Sequence, residues 1–452
     1  MLINFQVKNF ASFWRPSNFS MVASPVRRHP SHVAEIGGHN ILRSAFVFGA
    51  NAGGKSNFVR AIGFVKRIVV DGMDGVSCDQ RYFRLAPKEI DDIGVFQFTI
   101  FAGDNFYEFG LAISYGRASI VSEWLTLVKD DGTQQQIYVC DWAGASPTIT
   151  TSIDLEPEER VRFNVYCDDA KNMSTWKKTF LSGIAEKGRR RNASGYFSHF
   201  SKVYFWFRKL KVIFPETVYG GMIRYVIDES ARLSFGALLN HFDTGIEKLL
   251  TQTVDAEKVL GDLPADKRSE LKSKLIADLT HDKNSVVRLT TPDNDYLVHY
   301  QEGKLFMEKI VADHGKKDDP FDRADESDGT RRLYDLLPLQ RMFGEDTVVF
   351  VDELDRSLHT KATIEFIKTF FERSDGHRSQ LIATTHDASV LDLGLIRQDE
   401  IWFVERGEDH SSNLFPLTQF KPRFDNDIQK GYLLGRYGAL PIFRYFRTKR
   451  DS

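Results

Sequence analysis

Apolar and polar positions along this chain change period several times, and each change predicts an element. Met1 to Phe10 alternates, as a half-buried first strand does. Ala45 to Phe48 is a short apolar run, a buried strand, and Asn57 to Val70 then carries apolar residues at helical spacing. Val95 to Ile100 returns to alternation, with Phe96, Phe98 and Ile100 on one face and Gln97 on the other. Phe106 to Ile113 and Ser119 to Val128 predict further strands of the same antiparallel layer. From about Asp154 to Asp319 the pattern thins into helical stretches: Trp176 to Lys187, Ser194 to Leu210, Tyr225 to Leu250 and Ala265 to Leu279. They are too short and interrupted for the sustained heptads of a long coiled coil. Asn294 to Tyr300 and Lys304 to Val311 predict a hairpin around a Gln-Glu-Gly turn. Leu333, Leu336 and Leu337 mark another helix, and Thr347 to Val351 and Leu381 to Thr385 two more buried strands.

The 452 residues exceed a typical domain of roughly 100 to 200, so one large head with a substantial insertion is expected. With 60 basic and 62 acidic residues the net charge is −2, which gives no global argument for nucleic-acid or membrane binding. Cys78, Cys140 and Cys167 are far apart in sequence and form no CxxC pair, which argues against disulfides and structural zinc. No apolar run approaches the roughly 20 residues that span a bilayer, and the start lacks a signal-peptide pattern. A soluble cytoplasmic protein is expected.

The predicted strand Ala45–Phe48 runs into Gly49-Ala50-Asn51-Ala52-Gly53-Gly54-Lys55-Ser56, a complete P-loop, with Asn57 opening the helix. Small residues let backbone N–H groups wrap phosphates, Lys55 neutralises the β- and γ-oxygens, and Ser56 offers a hydroxyl to Mg2+. The run Thr347–Val351 ends in Asp352-Glu353, a Walker B pair: the first carboxylate holds Mg2+ and the second polarises the attacking water. Leu354-Asp355 follows as a D-loop would, and His386, at the end of the next strand about thirty residues on, resembles the switch histidine that contacts the γ-phosphate in P-loop proteins.

Glu326-Ser327-Asp328-Gly329-Thr330, about 25 residues before Walker B and opening a helix, resembles an ABC signature loop. That resemblance implies that Ser327, Gly329 and the helix N-terminus bind the γ-phosphate of ATP held by an opposite subunit. Asp328 stands where that family has its first glycine and Thr330 where it has glutamine. The whole set is similar to the SMC and OLD-like branch of ABC ATPases, and within it to the stand-alone RloA- and AbiLi-like ATPases of bacterial defence islands. Lys8 to Phe13, Asp399 to Glu405 and Lys430 to Pro441 contribute to this likeness.

The resemblance implies an α/β fold, an ABC-type P-loop ATPase head with an antiparallel β layer and a helical insertion. Its parts are residues 1–153 with Walker A, a mainly helical lid over 154–319, and 320–452 with signature, Walker B, D-loop and histidine. It further implies ATP and Mg2+ as ligands, Asp355 at the nucleotide, Gln97 as the metal-contacting Q-loop residue, and a homodimer or higher even oligomer closed through ATP. A separate effector nuclease encoded nearby and a phage-derived trigger complete that picture.

Competing readings come from other residues. An SMC-like DNA-repair or DNA-clamping ATPase would show salt-sensitive DNA affinity. Lys187 to Arg191, with Tyr196, Phe197 and His199, could contact phosphates and stack on bases, although a solvated basic turn uses the same residues. Pro292-Asp293 with Glu302-Gly303-Lys304 echoes the PD-(D/E)xK nuclease pattern, although the hairpin explains it equally. A Toprim nuclease would need more residues after His386 than follow here.

Overall fold

The computed structural model describes residues 1–86, 92–129, 131–144, 147–171, 177–188, 195–217, 220–261, 264–280, 286–291, 293–316, 320–421 and 427–440. Up to Phe214 the chain forms β1 (Leu2–Lys8), β2 (Ser17–Ser20), β3 (Val33–Ile36), β4 (His39–Leu42), β5 (Ser44–Phe48), α1 (Lys55–Asp71), β6 (Ile93–Ala102), β7 (Asn105–Ser114), β8 (Ser119–Val128), β9 (Gln134–Asp141), β10 (Thr148–Thr150), α2 (Pro157–Lys171), α3 (Phe180–Gly188), α4 (Ser198–Lys209) and β11 (Lys211–Ile213). Next come α5 (Ile223–Val226), α6 (Glu229–His241), β12 (Lys248–Val254), α7 (Ala256–Gly261), α8 (Ala265–Thr280), β13 (Val287–Thr290), β14 (Asp295–Gln301), β15 (Lys304–Asp313) and α9 (Asp328–Leu336). The last elements are β16 (Val348–Val351), α10 (Thr360–Arg373), β17 (Gln380–Thr384), β18 (Ile401–Arg406), β19 (Ser412–Pro416) and α11 (Ile428–Leu433). Two compact units result: Met1–Phe214 with Phe343–Leu354 and Ser374–Ser452, and Pro215–Met342 with Asp355–Arg373.

The first unit carries two large sheets. One is antiparallel, in the order β10-β9-β8-β7-β6-β1-β2. The other runs β11-β16-β17-β5-β18-β19 and is parallel from β11 to β18. Parallel strands are covered on both faces, which is why β16 and β5 read as uninterrupted apolar runs rather than alternating ones. Helix α1 buries Phe58, Val59, Ile62, Phe64, Val65, Ile68 and Val69 and packs against both sheets, with Arg60 and Arg67 exposed. Its Phe58 meets Phe5 and Phe19 of the antiparallel sheet at ring-centroid separations of 6.1 and 4.9 Å, and Phe350 of β16 at 6.0 Å. The fully buried Gln380 links the sheets: its Oε1 accepts from Leu2 N at 2.6 Å, and its Nε2 donates to Leu2 O and Leu42 O, both at 2.9 Å. An amide satisfied on both ends is buried without the penalty of a lost hydrogen bond.

Residues 428–440 pack on the head. Tyr432 and Tyr437 each stack on Phe403 of β18, with centroids 5.4 and 5.8 Å away, and Ala439 N donates to Glu405 Oε2 at 3.1 Å. Pro441 lies outside the described residues.

The second unit holds a four-stranded antiparallel sheet, β12-β15-β14-β13, besides its helices. The stretch expected to be a mainly helical lid therefore differs in two ways. Residues up to 214 belong to the first unit, and β12 to β15 are strands. The helical pattern read through Leu250 breaks after α6, where Asp243 (φ 59°) and Gly245 (φ 73°) turn the backbone and hand Leu249 and Leu250 to β12.

The predicted hairpin forms, with Glu302 (φ 49°) and Gly303 (φ 79°) as its two-residue turn, the signs a type I′ turn requires. It corrects the nuclease pattern. Asp293 and Glu302 flank opposite ends of the seven-residue β14, about 23 Å apart at ~3.3 Å per residue, too far to share a metal. Pro292 lies outside the described residues. The aromatic neighbours of the basic run are core side chains: Tyr196 and Phe197 are buried, and His199 Nδ1 lies 2.7 Å from the Tyr107 hydroxyl. Lys187 pairs with Asp169 at 2.7 Å, and 189–191 and Trp176 lie outside the described residues. All three cysteines are buried and unbridged. Among the described residues no helix is long and apolar enough to cross a membrane.

Candidate functional site

The strand order sets up the site. Strands β5, β17 and β16 are adjacent and parallel, so their C-terminal ends open on one edge, the usual place for a ligand in an α/β sheet. The P-loop leaves β5, Asp352-Glu353 leaves β16, and Thr385-His386 leaves β17.

Gly49, Gly53 and Gly54 are fixed by packing. A Cβ on Gly49 would come within 2.2 Å of Val404 O, and one on Gly54 within 2.2 Å of Ser412 Oγ. Gly54, at φ 121°, is also the N-cap of the 17-residue α1, a backbone conformation side chains rarely adopt. The N–H groups of this first turn and the helix dipole make an anion site. Lys55 is 5% exposed; its Nζ donates to Gly49 O at 2.7 Å and Ala50 O at 3.2 Å, and lies 3.2 Å from Nδ1 of the exposed His386. Asn51 sits at the exposed tip of the loop.

Asp352 is 1% exposed, and its Oδ1 accepts from Thr384 Oγ1 at 2.7 Å. The same Oγ1 accepts from Glu353 N at 2.8 Å, and Leu354 N donates to Thr384 O at 2.9 Å. Glu353 is left-handed, at φ 49°, a conformation costing about 1–2 kcal/mol for a non-glycine residue. Thr384 holds it there. Such strain clusters where a side chain must be aimed. Ser56 and Asp352 supply hard oxygen donors of the kind Mg2+ takes together with several waters, so the donor set fits that ion.

Two predicted residues have other duties. Asn57 donates through Nδ2 to Ser12 Oγ at 2.9 Å, and its Oδ1 accepts from Arg60 at 3.2 Å, so its side chain braces the loop. Ser412 completes that brace: its Oγ donates to Gly53 O at 2.7 Å and lies 2.7 Å from Ser12 Oγ. Gln97 stands in the middle of β6, opposite Gln6 and Gly110, while its neighbours Phe96 and Phe98 face the core against Phe64 and Phe5. It therefore projects from the sheet face turned away from α1. The metal-contacting role expected of Gln97 does not fit this position.

Sequence reasoning missed Thr384, Ser12 and Ser412. Thr384 had a faint signal, a polar residue closing an otherwise apolar strand next to a histidine. The serines had none, since only the fold brings residues 12, 53 and 412 together.

Ser327, Gly329 and Asp355 belong to the second unit. Ser327 is the N-cap of α9: its Oγ accepts from Thr330 N at 3.1 Å and lies 2.9 Å from Thr330 Oγ1. A Cβ on Gly329 would stand 2.8 Å from Ser357 O, so a glycine is needed where these two loops touch. Asp355 O accepts from Leu358 N at 3.1 Å in the turn before α10.

The fold is thus α/β, a parallel sheet that carries the P-loop with an antiparallel β layer beside it. A family model described as "AAA domain, putative AbiEii toxin, Type IV TA system" matches residues 197–392. Among solved structures, the SMC head domain from Thermotoga maritima is similar at 13% identity over 92% of this chain and 98% of that one, with a TM-score of 0.33. The SmcHead bound to the C-winged helix domain of ScpA is similar at 13% identity over 93% and 99%, with a TM-score of 0.40. No curated protein matches the chain.

Proposed function

We propose that this chain binds and hydrolyses ATP with Mg2+, and that the cycle works as a switch controlling a separate effector. The carrying observation is that Lys55, Asp352, Glu353 and His386 come together at the ends of three adjacent parallel strands, with Lys55 and His386 in contact. The P-loop amides and Lys55 bind the β- and γ-phosphates, and His386 stands where it can report the γ-phosphate. Ser56 and Asp352 hold Mg2+, which supplies charge neutralisation along the phosphates. Glu353, aimed by its left-handed backbone, orients and polarises the attacking water.

The dimeric part of the proposal rests on Ser327 and Gly329 at the N-terminus of α9, a second anion-ready site offered to the nucleotide of another subunit. Asp355, two residues before the Ser357 that Gly329 approaches, is proposed to act with them. ATP closure is then a two-state element able to bias a partner's binding surface. A nuclease effector and a phage-derived trigger are proposed on the resemblance of the sequence motifs to defence-island ATPases. Expression with and without the neighbouring gene during phage infection tests this half: protection that survives deletion of every adjacent gene would sink it. Titration of ATP into the wild-type chain tests the first half, and absence of binding would end it.

A further inference from the structure

Guanidinium groups gather around one cavity in the second unit. A cavity of about 550 Å³ beside α9 is lined by Arg323, Arg331, Arg332 and Arg356, against the two carboxylates Asp328 and Asp335. Both carboxylates already face arginines. Asp328 pairs with Arg331, and Asp335 lies 3.7 Å from Arg288 and 3.9 Å from Arg323. Arg323 is further anchored by Asp295 at 2.8 Å. The arginines are graded in depth: Arg332 is 5% exposed and the Arg323 side chain 11%, whereas the Arg331 side chain is 33% exposed and Arg356 lies open at the rim.

This charge is permanent. A lysine or histidine cluster relieves like-charge repulsion by losing protons, but guanidinium does not deprotonate in proteins. Its planar fork matches phosphate oxygens in pairs, and in a concave, partly dry wall such bonds strengthen. We infer that this cavity binds a small phosphorylated anion of nucleotide size, gripped through its phosphates by Arg331 and Arg356 at the mouth and by Arg332 within. The volume falls in the range of small-molecule sites, roughly 300–1,000 Å³. The depth of Arg332 and Arg323 favours a small ligand over a nucleic-acid backbone, which stays at a surface. None of its lining residues belongs to the P-loop, while Asp328 and Arg331 adjoin the loop proposed to meet the ATP of another subunit.

Inorganic pyrophosphate is the probe. Titrated calorimetrically into the full chain carrying Lys55→Ala, which removes the P-loop counter-charge, it should bind one site per chain. Arg331→Gln combined with Arg356→Gln should weaken it at least tenfold. Both positions are at the rim, so folding should be retained, and an unchanged circular dichroism spectrum checks this. If the double variant unfolds, Arg356→Gln alone decides, with at least a threefold loss expected. Binding abolished by Lys55→Ala alone, or indifferent to the arginine changes, overturns the inference. So does a single-stranded oligonucleotide that displaces pyrophosphate with a salt dependence of many phosphates, which would make the cavity part of a nucleic-acid surface.

Discussion

Thr384→Val tests the hinge of the site with the least disturbance elsewhere. The side chain is fully buried, and one hydroxyl serves two groups, donating to Asp352 Oδ1 at 2.7 Å and accepting from Glu353 N at 2.8 Å. Valine keeps the branched shape and supplies neither bond. A hydrogen bond to a charged group contributes about 1.5–3 kcal/mol, and a buried N–H left without a partner costs about 1–3 kcal/mol. The two share one atom and do not simply add, so a loss of about 3 kcal/mol is expected. Urea unfolding followed by tryptophan fluorescence reads this directly. Glu353 loses what holds its left-handed backbone, so hydrolysis should fall at least tenfold, about 1.4 kcal/mol in barrier, while ATP affinity changes little. Thr384→Ser, which keeps the hydroxyl, should recover most of both. A valine variant as stable and active as wild type, or a serine variant as damaged as valine, refutes the bridging role.

Lys55→Ala should weaken ATP binding at least a hundredfold by calorimetry; undiminished affinity would remove the P-loop from the mechanism. Glu353→Gln should bind ATP, lose turnover by about 10²-fold or more and accumulate dimers on size-exclusion chromatography; wild-type turnover would reject this base. Mixed Lys55→Ala and Ser327→Asp subunits should recover partial activity through one intact composite site, since Asp keeps the helix cap while repelling a phosphate; heterodimers that stay inactive count against sharing. Burial holds the Glu123 carboxyl up at about 7 despite donors from Tyr138, Leu181 and Phe180. The folded chain keeps a proton that the unfolded chain releases, so this stability is full below the ordinary carboxylate range and is lost as pH rises to about 7. Glu123→Gln should flatten the fall in unfolding free energy between pH 5 and 8, and an unchanged slope would refute the assignment.

What was legible followed from local rules. The P-loop, the Walker B strand and the strand before His386 are contiguous and strongly patterned, and they appear as β5–α1, β16 and β17. The hairpin Asp295–Asp313 was readable from its alternation and turn. Helix α2 was not, because only Phe163 and Cys167 of its described side chains are buried, too few to write a period. Strand β12 was hidden because its leucines continue the apolar spacing of α6 across the turn at Asp243–Gly245. Gln97 misled for a related reason. Alternation shows which residues share a sheet face but not which face the nucleotide helix covers, and that is settled by the packing of Phe96 on Phe64. The brace of Ser12, Asn57 and Ser412 was invisible in principle, because Ser12 lies 45 residues from Asn57 and 400 from Ser412.

The signature loop is where local sequence and local structure pull hardest against each other. Asp328 places a carboxylate in the first turn of α9, where it suits the helix dipole yet opposes the phosphate that a signature loop receives. Arg331, three residues on, pairs with it, so the first turn presents a neutral ion pair instead of a bare anion. At 76% exposure for Asp328, this pair contributes little to folding. Its consequence lies in the field at the helix N-terminus, which the pair returns to that of the backbone N–H groups and the Ser327 cap. If the loop acts as the proposed signature, its aspartate is tolerable only while Arg331 is present, so Arg331→Gln should raise the ATP concentration needed for dimerisation, and adding Asp328→Asn should restore it. A double variant no better than Arg331→Gln alone would show that Arg331 serves the closed dimer by some route other than neutralising Asp328.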